Sequence, residues 1–266
     1  MLKGALTREI WLDDDPGRNN CRELRVNGWK GQPVRLVQRA LSTFGYQIVA
    51  ETKDANLKDL RRTGSDWPEF AETMIGRLRL DNLHQSIERV LDDGIPGDLI
   101  ETGVWRGGAV IFMRAALKAH GVTDRSVWVA DSFEGLPPAT LDIDRPDDLS
   151  GFADLAIDLE TVRANFKRYG LLDDQVKFVK GWFKDTLPIA PIDRLALLRL
   201  DGDYYESTWD ALDALYPKLA PGGIVIVDDY GLIHGCRKAV DKYRALHHVV
   251  EPIERIDHTG VWWRKA

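Results

Sequence analysis

Gly97-Asp-Leu-Ile-Glu-Thr-Gly-Val-Trp-Arg-Gly-Gly108 is the stretch on which the fold turns. A short apolar rise, Leu99-Ile100, delivers Glu101. Gly103, Gly107 and Gly108 then bracket Trp105 and Arg106, and the apolar run Ala109 to Leu117 follows without a breaker. The pattern predicts a buried strand, a glycine turn and a helix, the βα unit that binds nucleotide-like ligands. Glycine lets backbone pass close to a ligand where a Cβ would clash. A helix opening at that point offers unpaired N–H groups to an anion. That makes Gly103, Trp105, Arg106 and Gly107 candidates for contact with a nucleotide-like cofactor. Many α/β proteins carry such a turn for structural reasons alone, so later strands must decide.

Upstream, Ser65-Asp66-Trp67-Pro68-Glu69 predicts a helix start, a capping residue followed by an early proline. Phe70, Thr73, Met74 and Leu78 would then face inward. A second helix from Asp81 to about Asp92 would turn Leu83, Ile87, Val90 and Leu91 inward, and Asp93-Gly94-Ile95-Pro96-Gly97 stops it. Residues 1 to about 60 are an arm, with a solvated acidic turn at Asp13 to Asp15. Helical spacing follows at Val34, Val37 and Leu41, then a short extended run from Phe44 to Ala50. The arm is expected to cover the core or to pack on another subunit.

Downstream, Ser126 to Phe133 predicts a second strand ending in Asp131. An acid at that tip accepts hydrogen bonds from ribose hydroxyls; a turn cap shared with Ser132 is the plainer alternative. Residues 134–158 form an insert with three prolines and Asp142, Asp144, Asp147 and Asp148, long enough to be a lid or a disordered segment. A helix from Leu159 to Tyr169 and a strand from Val176 follow. At that strand's exit, Trp182 or Phe183 lies either on an adenine ring or in the core.

Leu195-Ala-Leu-Leu-Arg-Leu-Asp201-Gly-Asp203 and Gly222-Gly-Ile-Val-Ile-Val-Asp228-Asp229 predict fourth and fifth strands that both end in acids. Open α/β sheets bind ligands outside the carboxyl ends of their strands, so Asp201, Asp228 and Asp229 are expected at one spot with Asp203 beside them. Converging carboxylates repel unless a cation neutralises them. Oxygen-only ligands suit Mg²⁺ or Mn²⁺, and no Cys/His set competes. Capping of the following helices is the alternative for one or two of these acids. The chain is expected to close with a helix from Cys236 to His247 and an antiparallel hairpin, Val249 to Ile256 with Gly260 to Arg264.

Composition bounds the function. The chain has 266 residues, 44% of them hydrophobic, enough for one good core with elaborations. Its formal net charge of −6, with no basic stripe, argues against a nucleic-acid partner. No signal peptide or membrane-length apolar run is visible, and Cys21 and Cys236 make no metal-ligand spacing. A cytoplasmic location with reduced thiols is expected.

Seven blocks in order then carry a resemblance: Glu72 to Gly76, Gly94 to Gly108, Val127 to Glu134, Tyr169 to Val176, Gly181 to Leu187, Leu200 to Thr208 and Val227 to Tyr230. Together they resemble the macrocin O-methyltransferase family, which includes the mycinamicin and novobiocin sugar methyltransferases, over about residues 65 to 266. The general methyltransferase turn has a further glycine near Trp105, and this chain keeps the sugar-enzyme version.

The resemblance implies a Rossmann-like class I methyltransferase fold, with a seven-stranded, mostly parallel sheet, an antiparallel C-terminal hairpin and helices on both faces. The division would be residues 1–64 as arm and 65–266 as catalytic domain. It also implies an enzyme dependent on S-adenosylmethionine and Mg²⁺ (with Mn²⁺ as a substitute) that methylates a sugar hydroxyl. By position, Thr73, Met74, Glu101, Gly103, Asp131 and Ser132 would hold the cofactor, and Asp201, Asp228 and Asp229 the metal. Asp203 or Asp201 would be the base. The acceptor would be a deoxysugar on a macrolide or aminocoumarin, or a hexose in an oligosaccharide or glycolipid, and a homo-oligomer is expected. Two other readings compete. Asp201-Gly-Asp203 also resembles the Asp-x-Asp of metal-dependent glycosyltransferases, and a non-enzymatic binding protein would leave the acids without purpose.

Overall fold

Seven strands form one sheet in the order β3-β2-β1-β4-β5-β7-β6. β1 (Asp98–Thr102), β2 (Val127–Asp131), β3 (Val176–Lys180), β4 (Leu195–Leu200) and β5 (Leu219–Val227) are parallel to one another. β7 (Val261–Arg264) is antiparallel to β5 and pairs with the two-residue β6 (Glu254–Arg255). This is the predicted Rossmann-like sheet with its antiparallel end. The hairpin's first strand is much shorter than the run Val249 to Ile256 suggested. Val250 is 87% exposed, while Val249, Ile253 and Ile256 still pack on the core from outside a strand.

The computed structural model describes residues 1–9 and 57–266. The expectations for Asp13 to Asp15, Cys21, the helix near Val34 and the run Phe44 to Ala50 lie outside the described residues. Among the described residues, the helices are α1 (Leu2–Leu6), α2 (Leu57–Thr63), α3 (Gly76–Asp92), α4 (Gly108–Ala119), α5 (Leu159–Arg168), α6 (Phe183–Thr186), α7 (Tyr205–Leu215) and α8 (His234–Leu246).

Strand alternation sorts the core into two layers, because successive residues point to opposite faces. Leu99, Val127, Val129, Leu197, Ile224 and Ile226 face α3, α4 and α5, where Leu83, Ile87, Val110, Val162 and Phe166 are fully buried. Ile100, Trp128, Leu198, Val225 and Val227 face α7 and α8, against Leu212, Leu215, Val240 and Tyr243. Each fully buried aliphatic side chain contributes about 1.5–3 kcal/mol from burial alone. Leu6 of α1 is buried in the first layer, so the start of the chain packs on the sheet's α3–α4 side.

The predicted helix start at Ser65 to Glu69 is not a helix. Residues 65–75 form an irregular strap, and helix begins only at Gly76. The strap's backbone groups find partners far away in sequence. Glu72 N and Thr73 N donate to Leu6 O (2.9 and 3.3 Å), and Gly108 N donates to Glu72 O (2.8 Å). The Arg106 guanidinium donates to Glu69 O (2.6 Å) and Ala71 O (3.0 Å). Those long-range bonds replace the i→i−4 ladder, and Phe70, expected inward, is 54% exposed.

Candidate active site

The parity that builds the first core layer also delivers charges to its upper end. On that face Leu99 is followed by Glu101, Val129 by Asp131, Leu197 by Arg199 and Asp201, and Ile226 by Asp228. Glu101 is in register with Arg199 across β1 and β4, and Leu200 with Val227 across β4 and β5. Each strand therefore ends its apolar row with a charge at the same edge of the sheet. They meet at a cavity of about 720 Å³, at the carboxyl ends of the parallel strands where α/β sheets bind ligands.

Most predicted residues line this cavity. Thr73 and Met74 come from the strap, Glu101, Gly103 and Trp105 follow β1, and Asp131 and Ser132 end β2. Trp182 and Phe183 follow β3, Asp201 and Asp203 follow β4, and Asp228 and Asp229 follow β5. Arg106 and Gly107 stand behind the wall. Arg106 stacks on the Trp105 ring at 4.2 Å while holding the strap. Gly107 has φ +86 as the residue before α4, and a Cβ there would meet Val162 at 2.9 Å.

Gly103 is the position where glycine is required. Its φ is +84, and a Cβ would lie 1.7 Å from the carbonyl oxygen of Asp201. This contact sets the ends of β1 and β4 against each other. Trp105 and Asp203 also have positive φ, +46 and +60; such conformations in non-glycine residues gather where the surroundings over-determine them, often at functional sites. The Asp131 carboxylate accepts from Val104 N (2.8 Å) and Phe133 N (2.7 Å). Asp131 thus serves as the turn cap that the sequence left as an alternative, with Ser132 Oγ as a further, longer donor at 3.4 Å.

Arg199, which sequence reasoning passed over, sits among the acids at 1% exposure. It donates to Glu101 and Asp228, and to Asp201 at 2.7 Å. Arg79 of α3 donates to the other oxygen of Asp228 and to Asp257 (2.9 Å). The expectation that only a bound cation could neutralise the acids is therefore corrected: two buried guanidiniums already do part of it. The signal was a lone arginine inside Leu195-Ala-Leu-Leu-Arg-Leu, a strand buried at every position.

Charge still remains in excess. Asp201, Asp228 and Asp229 each offer an oxygen, and these atoms lie within 4.8 Å of one another. Asp229 Oδ2 and Glu101 Oε2 are buried with no hydrogen-bond partner, a costly arrangement unless a ligand completes it. Burial and the neighbouring acids Asp203, Asp201 and Asp228 push Asp229 well above the usual carboxylate range. Asp203 is raised well above it for the same reasons, burial first and then Asp201. Burial pushes Glu101 up to about 8, with Arg199 pulling the other way. The chemistry of this donor set fits a hard divalent cation.

The insert is folded over the cavity and anchored at helix starts. Tyr205 N, opening α7, donates to Asp144 Oδ1 at 2.8 Å, and Leu149 N donates to the Tyr204 hydroxyl at 2.8 Å. Trp105 Nε1 donates to Asp154 O at 2.8 Å, and Phe152 stacks on Trp67 of the strap with centroids 5.7 Å apart. Among the described residues no helix is long and apolar enough to cross a membrane.

The sheet order, the glycine turn and the acids at the strand ends define a class I methyltransferase fold, and similar proteins agree. The structure of the O-methyltransferase NovP superposes with a TM-score of 0.78 at 50% identity, covering 88% of this chain and 98% of that one. A family model for macrocin-O-methyltransferase (TylF) matches residues 1–265. The chain belongs to that family and is an O-methyltransferase; membership includes the arm that the sequence resemblance did not reach, and it sets aside the glycosyltransferase and non-enzymatic readings. Among relatives, the 8-demethyl-8-(2,3-dimethoxy-alpha-L-rhamnosyl)-tetracenomycin-C 4'-O-methyltransferase of Streptomyces olivaceus is 61% identical over 251 residues, 92% of this chain and 94% of that protein. The mycinamicin III 3''-O-methyltransferase of Micromonospora griseorubida is 51% identical over 243 residues, 87% and 95% of the two chains.

Proposed function

We propose that this protein is an S-adenosylmethionine- and Mg²⁺-dependent methyltransferase acting on a sugar hydroxyl of a glycosylated natural product. The observation that carries the reading is the convergence of Asp201, Asp228 and Asp229 beside a cavity whose other half is built by Glu101, Gly103 and Asp131. Relatives that methylate sugars of tetracenomycin and mycinamicin glycosides support the acceptor class.

The residues divide the work. Glu101, with its unpartnered Oε2, accepts from donor groups of the cofactor. Thr73 and Met74 close the strap over it, and Trp182, 37% exposed, offers an aromatic face at the exit of β3. S-adenosylmethionine, when bound, would supply an electrophilic methyl group, so the chain's task is to align the acceptor with it. Asp201, Asp228 and Asp229 would hold a divalent cation, which would supply Lewis acidity toward the acceptor hydroxyl. Asp203, raised well above the usual carboxylate range by burial and its acidic neighbours, takes the hydroxyl proton once ionised, with Asp201 as the other candidate base. The insert 134–158 and the strap exclude water, and the part of the arm 1–64 that is not packed on the chain's own core serves as a subunit contact in a homo-oligomer.

Asp229→Asn is the clean test of the cation site. Asp228 is shared by two arginines, so its removal leaves buried charges unpaired, whereas no arginine hydrogen-bonds Asp229 among the described residues. Methyl transfer to rhamnosyl glycosides is expected in wild type with Mg²⁺ and absent with chelator. Asp229→Asn should lose turnover about 100-fold or more while S-adenosylmethionine affinity changes little. Undiminished turnover with chelator present would sink the metal assignment.

A further inference from the structure

Arg199 ties together two halves of the cavity that bind different things. Glu101 stands in the cofactor half, and Asp201 and Asp228 stand in the acidic half. One Arg199 nitrogen donates to both Glu101 and Asp201, and the other donates to Asp228. A single buried guanidinium thus holds three carboxylates on three neighbouring strands. Arg79 donates to Asp228, Asp257 and Thr63 O, none of which belongs to the cofactor half.

We infer that Arg199 is a positioning residue that couples the two ligands: a divalent cation at the acidic triad and an S-adenosyl ligand strengthen each other's binding through it. The inference rests on the proposed function. In a desolvated site Coulomb interactions are strong. When a cation takes up the charge of Asp201 and Asp228, more of the guanidinium's field is left for Glu101. Glu101 is then held more firmly in its orientation, with its free Oε2 available to donors on the ligand. Direct repulsion between the ligands predicts the opposite sign, because a divalent cation repels the ammonium that both ligands carry and, in S-adenosylmethionine, the sulfonium as well. Coupling through Arg199 tightens both ligands, since both carry the same ammonium and ribose donors, and by linkage each raises the other's affinity by the same factor.

The test is calorimetric titration of the full chain with each S-adenosyl ligand, in chelator and in saturating Mg²⁺, alongside titration of Mg²⁺ alone. Wild type is expected to bind both ligands about 5-fold or more tightly with Mg²⁺. Arg199→Lys keeps the charge but loses the fork, and its ratio should fall to 1 or below while both ligands still bind. Should Arg199→Lys not fold by circular dichroism, Glu101→Gln answers the same question, and its ratio should also fall to 1 or below. A general loss of stability would weaken binding without changing the ratio. Mg²⁺ binding with no coupling in wild type overturns this inference alone. So does coupling retained in the variants. No Mg²⁺ binding in wild type overturns the metal assignment and this inference together.

Discussion

Replacing Gly103 by alanine tests whether the close approach of β1 and β4 builds the site. The structure supplies two separable costs. At φ +84 an alanine is in the left-handed region, at about 1–2 kcal/mol. Its Cβ would also lie 1.7 Å from Asp201 O, an overlap that only backbone movement relieves, and overpacking of this kind costs about 1–3 kcal/mol more. Gly121 isolates the first cost, because its φ is +66 and a Cβ added there would have nothing within 4 Å. Gly103→Ala should therefore melt below Gly121→Ala by roughly 2–12 °C, at about 2–4 °C per kcal/mol for a chain of this size. Separation of the two strand ends also displaces Glu101 and Asp201, which flank the contact. Calorimetry should show S-adenosylmethionine binding weakened about 10-fold or more, and turnover should fall about 100-fold, with Gly121→Ala unchanged in both. Equal melting temperatures and equal affinities for the two variants would refute the reasoning.

Three further outcomes follow from particular contacts. Burial pushes Glu101 up to about 8, so it is protonated below that pH and ionised above it. Cofactor affinity should rise with pH toward about 8, and Glu101→Gln should flatten the rise in titrations at fixed salt; a flat wild-type profile contradicts this. Because its folded pKa exceeds the ordinary 4.5, Glu101 favours the fold most below that pH, and the contribution fades as pH climbs toward about 8. Arg106→Ala removes the two hydrogen bonds at 2.6 and 3.0 Å that hold the strap, and cofactor affinity should drop about 10- to 100-fold through loss of about 1.5–3 kcal/mol. Unchanged affinity would mean that the strap closes without it. Asp144→Ala removes the acceptor for Tyr205 N at the start of α7, a capping loss of about 1 kcal/mol. Limited proteolysis should then cut within residues 134–158 faster than in wild type, and an equal rate would show that Asp144 does not anchor the insert.

What the sequence determined by itself is whatever depends on neighbours along the chain. Apolar strands with acids at their ends, a glycine turn at Gly103 to Gly108 and the helix after it are local patterns, and the sheet follows from them. Glu101, Asp131, Asp201 and Asp228 were legible because each terminates an apolar row. Tertiary structure decided whatever depends on partners distant in the chain. The strap 65–75 carries helix-start residues, yet Leu6, Arg106 and Gly108 take its hydrogen bonds, and no local rule foresees that competition. Arg199 reads as one polar residue in an apolar strand until β1 and β5 flank it with Glu101 and Asp228. Arg79, 178 positions before its partner Asp257, enters the site only because α3 packs against the end of the sheet. A carboxylate's neutralisation is a property of the assembled charges around it, so how many acids share two guanidiniums, and which oxygens are left over, was settled only by the fold.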